Sequence, residues 1–179
     1  MPFPRTPAGA LHRPRVATCA VWLATLLVAP GWAGAAPGAA PLKGYVLQVL
    51  PQTGGLRVQP ENGPPVDVQL EGLVWPLPCQ PGGAEARKAL QEWAHAREVT
   101  VRLHGAARQG PVRGTVTIGT TVLNRRLVEE GHAFSSRTRW DQGPYVKQER
   151  MALALNRGVF IDGKALPPAE YQRLNGPCR

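Results

Sequence analysis

The sequence predicts a mainly β protein, a small closed or partly closed barrel with helices packed outside it. Short runs with one apolar face recur at residues 66–71, 99–104 and 112–118. Helical spacing first appears after three strand-like runs, and no strand–helix–strand rhythm develops, which excludes a doubly wound parallel sheet. Strands with one apolar face need a single shared interior, and closure removes exposed edges.

The first 35 residues read as an export leader. Arg5, Arg13 and Arg15 carry positive charge with no acidic residue, and residues 16–29 are uncharged before the break at Pro30-Gly31. Ala33-Gly34-Ala35 offers a small-x-small cleavage site, and a second candidate site ends at Ala40. An uncleaved anchor and a start codon placed too early are the alternatives. The uncharged run falls short of the roughly 20 residues that span a bilayer. Cys19 lacks the Leu-x-x-Cys spacing of a lipoprotein signal. The expected destination is the periplasm or the outside of the cell, with no membrane span after cleavage.

The whole chain has 21 basic and 12 acidic residues, a net charge of +9, and removing the leader takes three arginines from that excess. A remaining charge of this size attracts polyanions without defining a site. No Lys/Arg block is dense enough to be a nucleic-acid-binding tail. Beyond the leader only Cys79 and Cys178 remain. In an oxidising compartment they suggest one bond tying the tail to the body, with an intermolecular bridge or two free thiols as alternatives. An intramolecular loop of about 100 residues corresponds to about 4 to 5 kcal/mol on the chain-entropy model.

Residues 36–43 read as a flexible lead-in and 44–163 as the barrel domain. A strand at 44–50 turns through Pro51-Gln52-Thr53-Gly54-Gly55 into a second at 56–58. After Glu61-Asn62-Gly63-Pro64-Pro65 comes the cleanest alternation, with Val66, Val68 and Leu70 opposite Asp67, Gln69 and Glu71. A Pro/Gly-rich loop leads to a helix at about 84–97, where Ala86, Leu90, Trp93 and Ala94 form the apolar stripe. Strands at 99–103 and 112–118 precede helices at about 122–130 and 145–157, with Gly131 and Gly158 expected as caps. The tail from 164 to 179 shows little periodicity and contains Pro167-Pro168.

The ordered segments Val68-Gln69-Leu70-Glu71-Gly72-Leu73-Val74-Trp75-Pro76, Val112-Arg113-Gly114-Thr115-Val116, Leu127-Val128-Glu129-Glu130-Gly131-His132-Ala133-Phe134 and Asn156-Arg157-Gly158-Val159-Phe160 together resemble the staphylococcal (thermonuclease-like) nuclease family. That resemblance implies a five-stranded oligonucleotide/oligosaccharide-binding (OB) barrel with three helices. It also implies calcium held by acidic side chains, hydrolysis of phosphodiesters by water, and arginines on the phosphate. The carboxylates are missing at the matching positions: Gly54-Gly55 replaces the first acidic turn, Val74 the Asp before the proline, and Leu77 the Glu after it. Gln69 replaces one arginine, and Arg113 matches the other. Val and Leu offer no side-chain oxygen to a hard cation, so no metal site is expected and no cofactor is called for unless a calcium-dependent nuclease survives.

His95, His104 and His132 lack metal-ligand spacing with either cysteine, and Ser135-Ser136 beside His132 forms no recognisable nucleophile constellation. The candidate ligand-binding surface comprises Gln69, Arg102 and Arg113 on the polar sides of their strands, joined by Arg137, Arg139 and Trp140 in a later loop. Arg with Trp can bind a phosphate and stack a base; an ordinary solvated Arg-rich face with Trp140 packed on the barrel is the alternative. If chemistry survives, Arg113 is the candidate for phosphate contact and Asp67 for metal or base. The leading expectation is a non-catalytic binder of single-stranded nucleic acid, another polyanion or an envelope protein. A phosphodiesterase with an altered site and a structural interaction module stand beside it.

Overall fold

The computed structural model describes residues 40–105, 111–163 and 165–178. The leader expected at 1–35 lies outside the described residues. Strand β1 runs Leu42–Leu50, so the chain is already paired where a lead-in to residue 43 was expected. It is followed by β2 (Gly55–Pro60), β3 (Val66–Leu70) and the short β4 (Leu73–Val74). Helix α1 (Gly83–Ala94) precedes β5 (Glu98–His104), β6 (Val112–Ile118) and the short β7 (Thr121–Val122). Helix α2 (Leu123–Glu129), β8 (Phe134–Ser135), α3 (Val146–Ala154) and α4 (Pro168–Asn175) complete the order.

Antiparallel pairing runs β3-β2-β1-β5-β6, and a parallel pairing of β3 with β6 closes the sheet into a five-stranded OB-type barrel. Alternation places Val68 and Leu70 of β3, Val99 and Val101 of β5 and Val116 of β6 inside. β1 departs from strict alternation. A bulge between Val46 and Gln48 turns Val46 and then Val49 inward, which is why its pattern is the weakest of the five in the sequence. Leu90 and Ala94 of α1 and Leu123, Leu127 and Val128 of α2 seal the interior.

Asn124 is the polar element of this core. Its fully buried amide accepts from the Val116 N–H at 2.9 Å and donates to the carbonyls of Glu71 at 2.9 Å and Gly114 at 3.1 Å. One side chain thereby ties α2 to both strands of the parallel seam. The Gly114 carbonyl also accepts from the Glu71 N–H at 2.9 Å, so it is shared between backbone and side chain.

The cap expected at Gly131 is present: φ is 75°, Gly131 N–H reaches the Val128 carbonyl at 3.0 Å and His132 N–H reaches Leu127 at 2.7 Å, a Schellman ending. The cap of α3 is Asn156, not Gly158. Asn156 takes φ 52° and its N–H donates to Leu153, while Arg157 N–H donates to Ala152. Asn tolerates the left-handed region better than most side chains, so the helix closes two residues before the glycine. Gly158 instead abuts Gly131: a Cβ on Gly158 would strike the Gly131 carbonyl, and one on Gly131 would strike the Arg157 carbonyl.

The tail contains a fourth helix, where three were expected. Pro168 occupies the first turn of α4, the position at which a missing N–H costs nothing. Cys79 and Cys178 form a disulfide with a Cα–Cα distance of 5.6 Å. Beside it the Tyr171 hydroxyl donates to the Cys79 carbonyl, and Gln80 Nε2 donates to the Leu166 carbonyl at 2.6 Å. Among the described residues no helix is long and apolar enough to cross a membrane.

Candidate functional site

The parallel seam sets Gln69 of β3 directly opposite Arg113 of β6, and Arg113 opposite His104 of β5. Arg102 lies opposite Thr115 on the same outward side. The register thus gathers Gln69, Arg102 and Arg113 on one wall. Arg113 is largely exposed, and its nearest carboxylate is Glu71 at 3.9 Å, a surface pair that contributes little. Gln69 is tethered, since its Nε2 donates to the Thr53 carbonyl at 2.6 Å.

Asp67 is engaged. Its two oxygens accept from Arg57 Nε at 2.7 Å and Nη2 at 2.9 Å, a fork that holds its carboxyl below the usual range. A carboxylate held by a guanidinium across the β2–β3 ladder is a poor general base. The candidate role for Asp67 therefore loses its chemical basis.

Trp75, next to Val74, reaches Gly54 in the β1–β2 turn. A Cβ on Gly54, at φ 66°, would lie 2.5 Å from the Trp75 ring, and Trp75 Nε1 donates to the Pro51 carbonyl at 2.9 Å. The indole therefore lies flat on the β1–β2 turn, anchored at its polar end. Calcium asks for about six to eight oxygens, several anionic, whereas Gly54, Gly55, Val74 and Leu77 bring none from their side chains. The residues do not fit the ion. Among the described residues, no three His, Cys, Asp or Glu side chains converge in an arrangement able to hold a metal.

The loop after β8 is anchored where Ser136 N–H donates to the Gly72 carbonyl at 2.9 Å. Arg137 bridges Asp141 and the buried Glu149, reaching the latter at 2.6 Å, and Arg150 holds the other oxygen of Asp141 at 2.9 Å. Arg137 is thus a brace and not a free phosphate ligand, which differs from the sequence expectation. Burial pushes the Glu149 carboxyl above its usual range even with Arg137 beside it. Trp140 is 89% exposed and takes φ 64°, followed by Asp141 at φ 56°. The ring is not packed on the barrel. Arg139 beside it is exposed.

Sequence reasoning missed Tyr145 and Thr115. Tyr145 lies against Gly72 with Thr115 in its neighbourhood, and Thr115 Oγ1 is 2.9 Å from His104 Nε2. Burial, then Glu71, raises the Tyr145 hydroxyl above its ordinary value. Tyr145, at the start of α3, thereby packs on the turn after β3, while His104 and Thr115 pair across the β5–β6 ladder next to Arg113. Nothing in the local sequence places Tyr145 there, because the contact depends on the packing of α3.

No family model matches this chain. Two curated proteins of Oryza sativa subsp. japonica, the probable staphylococcal-like nucleases CAN3 and CAN2, are each 25% identical to it over 107 residues. The aligned part covers 59% of this chain but 28% and 29% of theirs, so the chain spans less than a third of the length of the curated relatives it matches. The chain thus has distant sequence similarity to the staphylococcal-like nucleases together with a closed five-stranded OB-type barrel.

Proposed function

We propose that this protein is an exported binder of single-stranded nucleic acid or a similar polyanion, and that it holds its ligand without cleaving it. The observation that carries this reading is the Trp75 indole lying on Gly54, where two acidic segments would have to converge for metal-dependent hydrolysis. Arg113, Arg102 and Arg139 supply exposed guanidiniums, and Trp140 supplies an exposed ring. Guanidiniums attract phosphates in a salt-dependent way, and an aromatic face stacks bases without regard to sequence. No residue in this assembly is asked to activate water. The likeness to the staphylococcal-like nucleases supports the choice of ligand class, and the leader-like first 35 residues support export.

The test is a fluorescence anisotropy titration of labelled oligothymidylate across a salt series. Arg113→Ala should weaken binding and reduce the slope of log affinity against log salt by about 0.7. Trp140→Ala should weaken binding by about fivefold or more with the slope unchanged, the signature of a lost stacking platform. No binding at low salt, or binding indifferent to both substitutions, would overturn the proposal.

A further inference from the structure

We propose a second ligand site on another part of the barrel wall, built to take a neutral oligosaccharide. A cleft of about 540 Å³ opens across the end of β2, the start of β1, the start of β5 and the end of β6. It shares no residue with the Arg113 wall or the Trp140 loop. Its volume lies within the range of small-ligand sites.

Strand register builds the site in two rows. Tyr45 stands opposite Gln59 on one side and Glu98 on the other, so an aromatic ring is flanked by an amide and a carboxylate. In the second row Lys43 stands opposite Thr100, and Thr100 opposite Thr117. Gly44 lies between the rows on β1, at an approach to the Gln59 carbonyl so close that no side chain could be accommodated. Because every member sits on a paired strand, the spacing of the groups is fixed before any ligand arrives.

The chemistry selects the ligand class. Tyr45 is 43% exposed and gives an apolar face to the C–H side of a sugar ring. Gln59 Nε2 is held by the carbonyls of Pro60 at 3.1 Å and Gly63 at 2.9 Å, which fixes the amide and leaves its Oε1 as an acceptor. Among the described residues, Lys43, Glu98 and the nearby Glu61 have no ion-pair partner within 4.0 Å. Two carboxylates beside one ammonium repel a polyanion, and a cationic ligand would meet Lys43. Sugar hydroxyls suit both signs, since each donates to a carboxylate and accepts from an ammonium.

Isothermal titration calorimetry of the purified protein with cellohexaose and chitohexaose, and with heparin as the charged control, tests this. At least one neutral hexasaccharide should bind. Tyr45→Ala should weaken it by at least about tenfold, the loss of an aromatic platform and its contacts. Glu98→Gln, which preserves shape, should weaken it by about threefold or more. Arg113→Ala should leave it unchanged, which separates this site from the polyanion surface. Thermal unfolding of each variant checks that the barrel is intact. Failure of both hexasaccharides to bind at about 5 mM, retention of full affinity in both Tyr45→Ala and Glu98→Gln, or displacement of the sugar by heparin would overturn the proposal.

Discussion

The β1–β2 turn under Trp75 and the loop carrying Trp140 use the same side chain in opposite ways. In the first, the indole covers a glycine and satisfies its N–H on the Pro51 carbonyl. In the second, the indole stands 89% exposed on a backbone held at positive φ for two successive non-glycine residues. The first region relaxes into packing where chemistry would need converging carboxylates. The second keeps local strain, braced by Arg137, Asp141, Glu149 and Arg150. Strain of about 1 to 3 kcal/mol per residue persists only where the surroundings enforce it, and it gathers at sites of function. Packing thus governs the first region, and a charged brace holds the second.

The sharpest way to break this contrast is to remove the packed indole. Trp75→Ala strips a half-buried ring and a hydrogen bond, and should cost about 3 kcal/mol in urea unfolding. It should bring no hydrolytic activity, because Val74 and Gly54 remain without carboxylates. Next comes the brace. Arg137→Ala leaves Glu149 buried without its partner and should cost about 2 kcal/mol, less than a fully buried pair because Arg137 is partly exposed. Recovery of stability on lowering the pH of that variant, as Glu149 takes up a proton, would confirm that the stranded charge is the cause.

A third expectation concerns the packing of α2 against α1. His132 stacks edge-on against Trp93 at 5.2 Å and its Nδ1 is buried without a partner, while Arg126 lies 4.1 Å over the Trp93 ring. Burial lowers its pKa from 6.5, opposed by Glu130 and Glu85 and assisted by Arg126. The unfolded chain therefore takes up this proton first as the pH falls. The neutral ring's contribution is fully present above about pH 6.5 and is lost as the pH drops through the lower folded value. Thermal midpoints measured from about pH 8 to pH 5 should decline, and His132→Phe should flatten that decline. The smallest effect belongs to the exposed indole itself. Trp140→Asn should change stability by less than about 0.5 kcal/mol and in the stabilising direction, since Asn tolerates the left-handed region. A loss above that would mean the ring packs in solution.

The strands on the barrel wall were legible because alternation is a local property, and β3, β5 and β6 carry it without interruption. β1 was harder to read because its bulge resets the period between Val46 and Val49. Helix α4 was hidden by Pro167-Pro168, which reads as a breaker although Pro168 sits at a permissive first turn. At the site, the sharing of one wall by Gln69, Arg102 and Arg113 followed from strand parity. The bracing of Arg137 did not, because its buried partner Glu149 comes from the following helix and only packing brings them together. The Trp75–Gly54 contact joins residues 21 positions apart across two turns. The missing carboxylates were visible in the sequence, but not the ring that fills their place.

The central claim is that this barrel binds its ligand without cutting it, and a cleavage assay addresses it directly. End-labelled single-stranded DNA and RNA, incubated with excess purified protein in calcium, in magnesium or in chelator, should remain full length in all three while being retained in a salt-sensitive complex. Calcium- or magnesium-dependent shortening of the strands that disappears in Arg113→Ala would contradict the account and place a working phosphodiesterase on this wall.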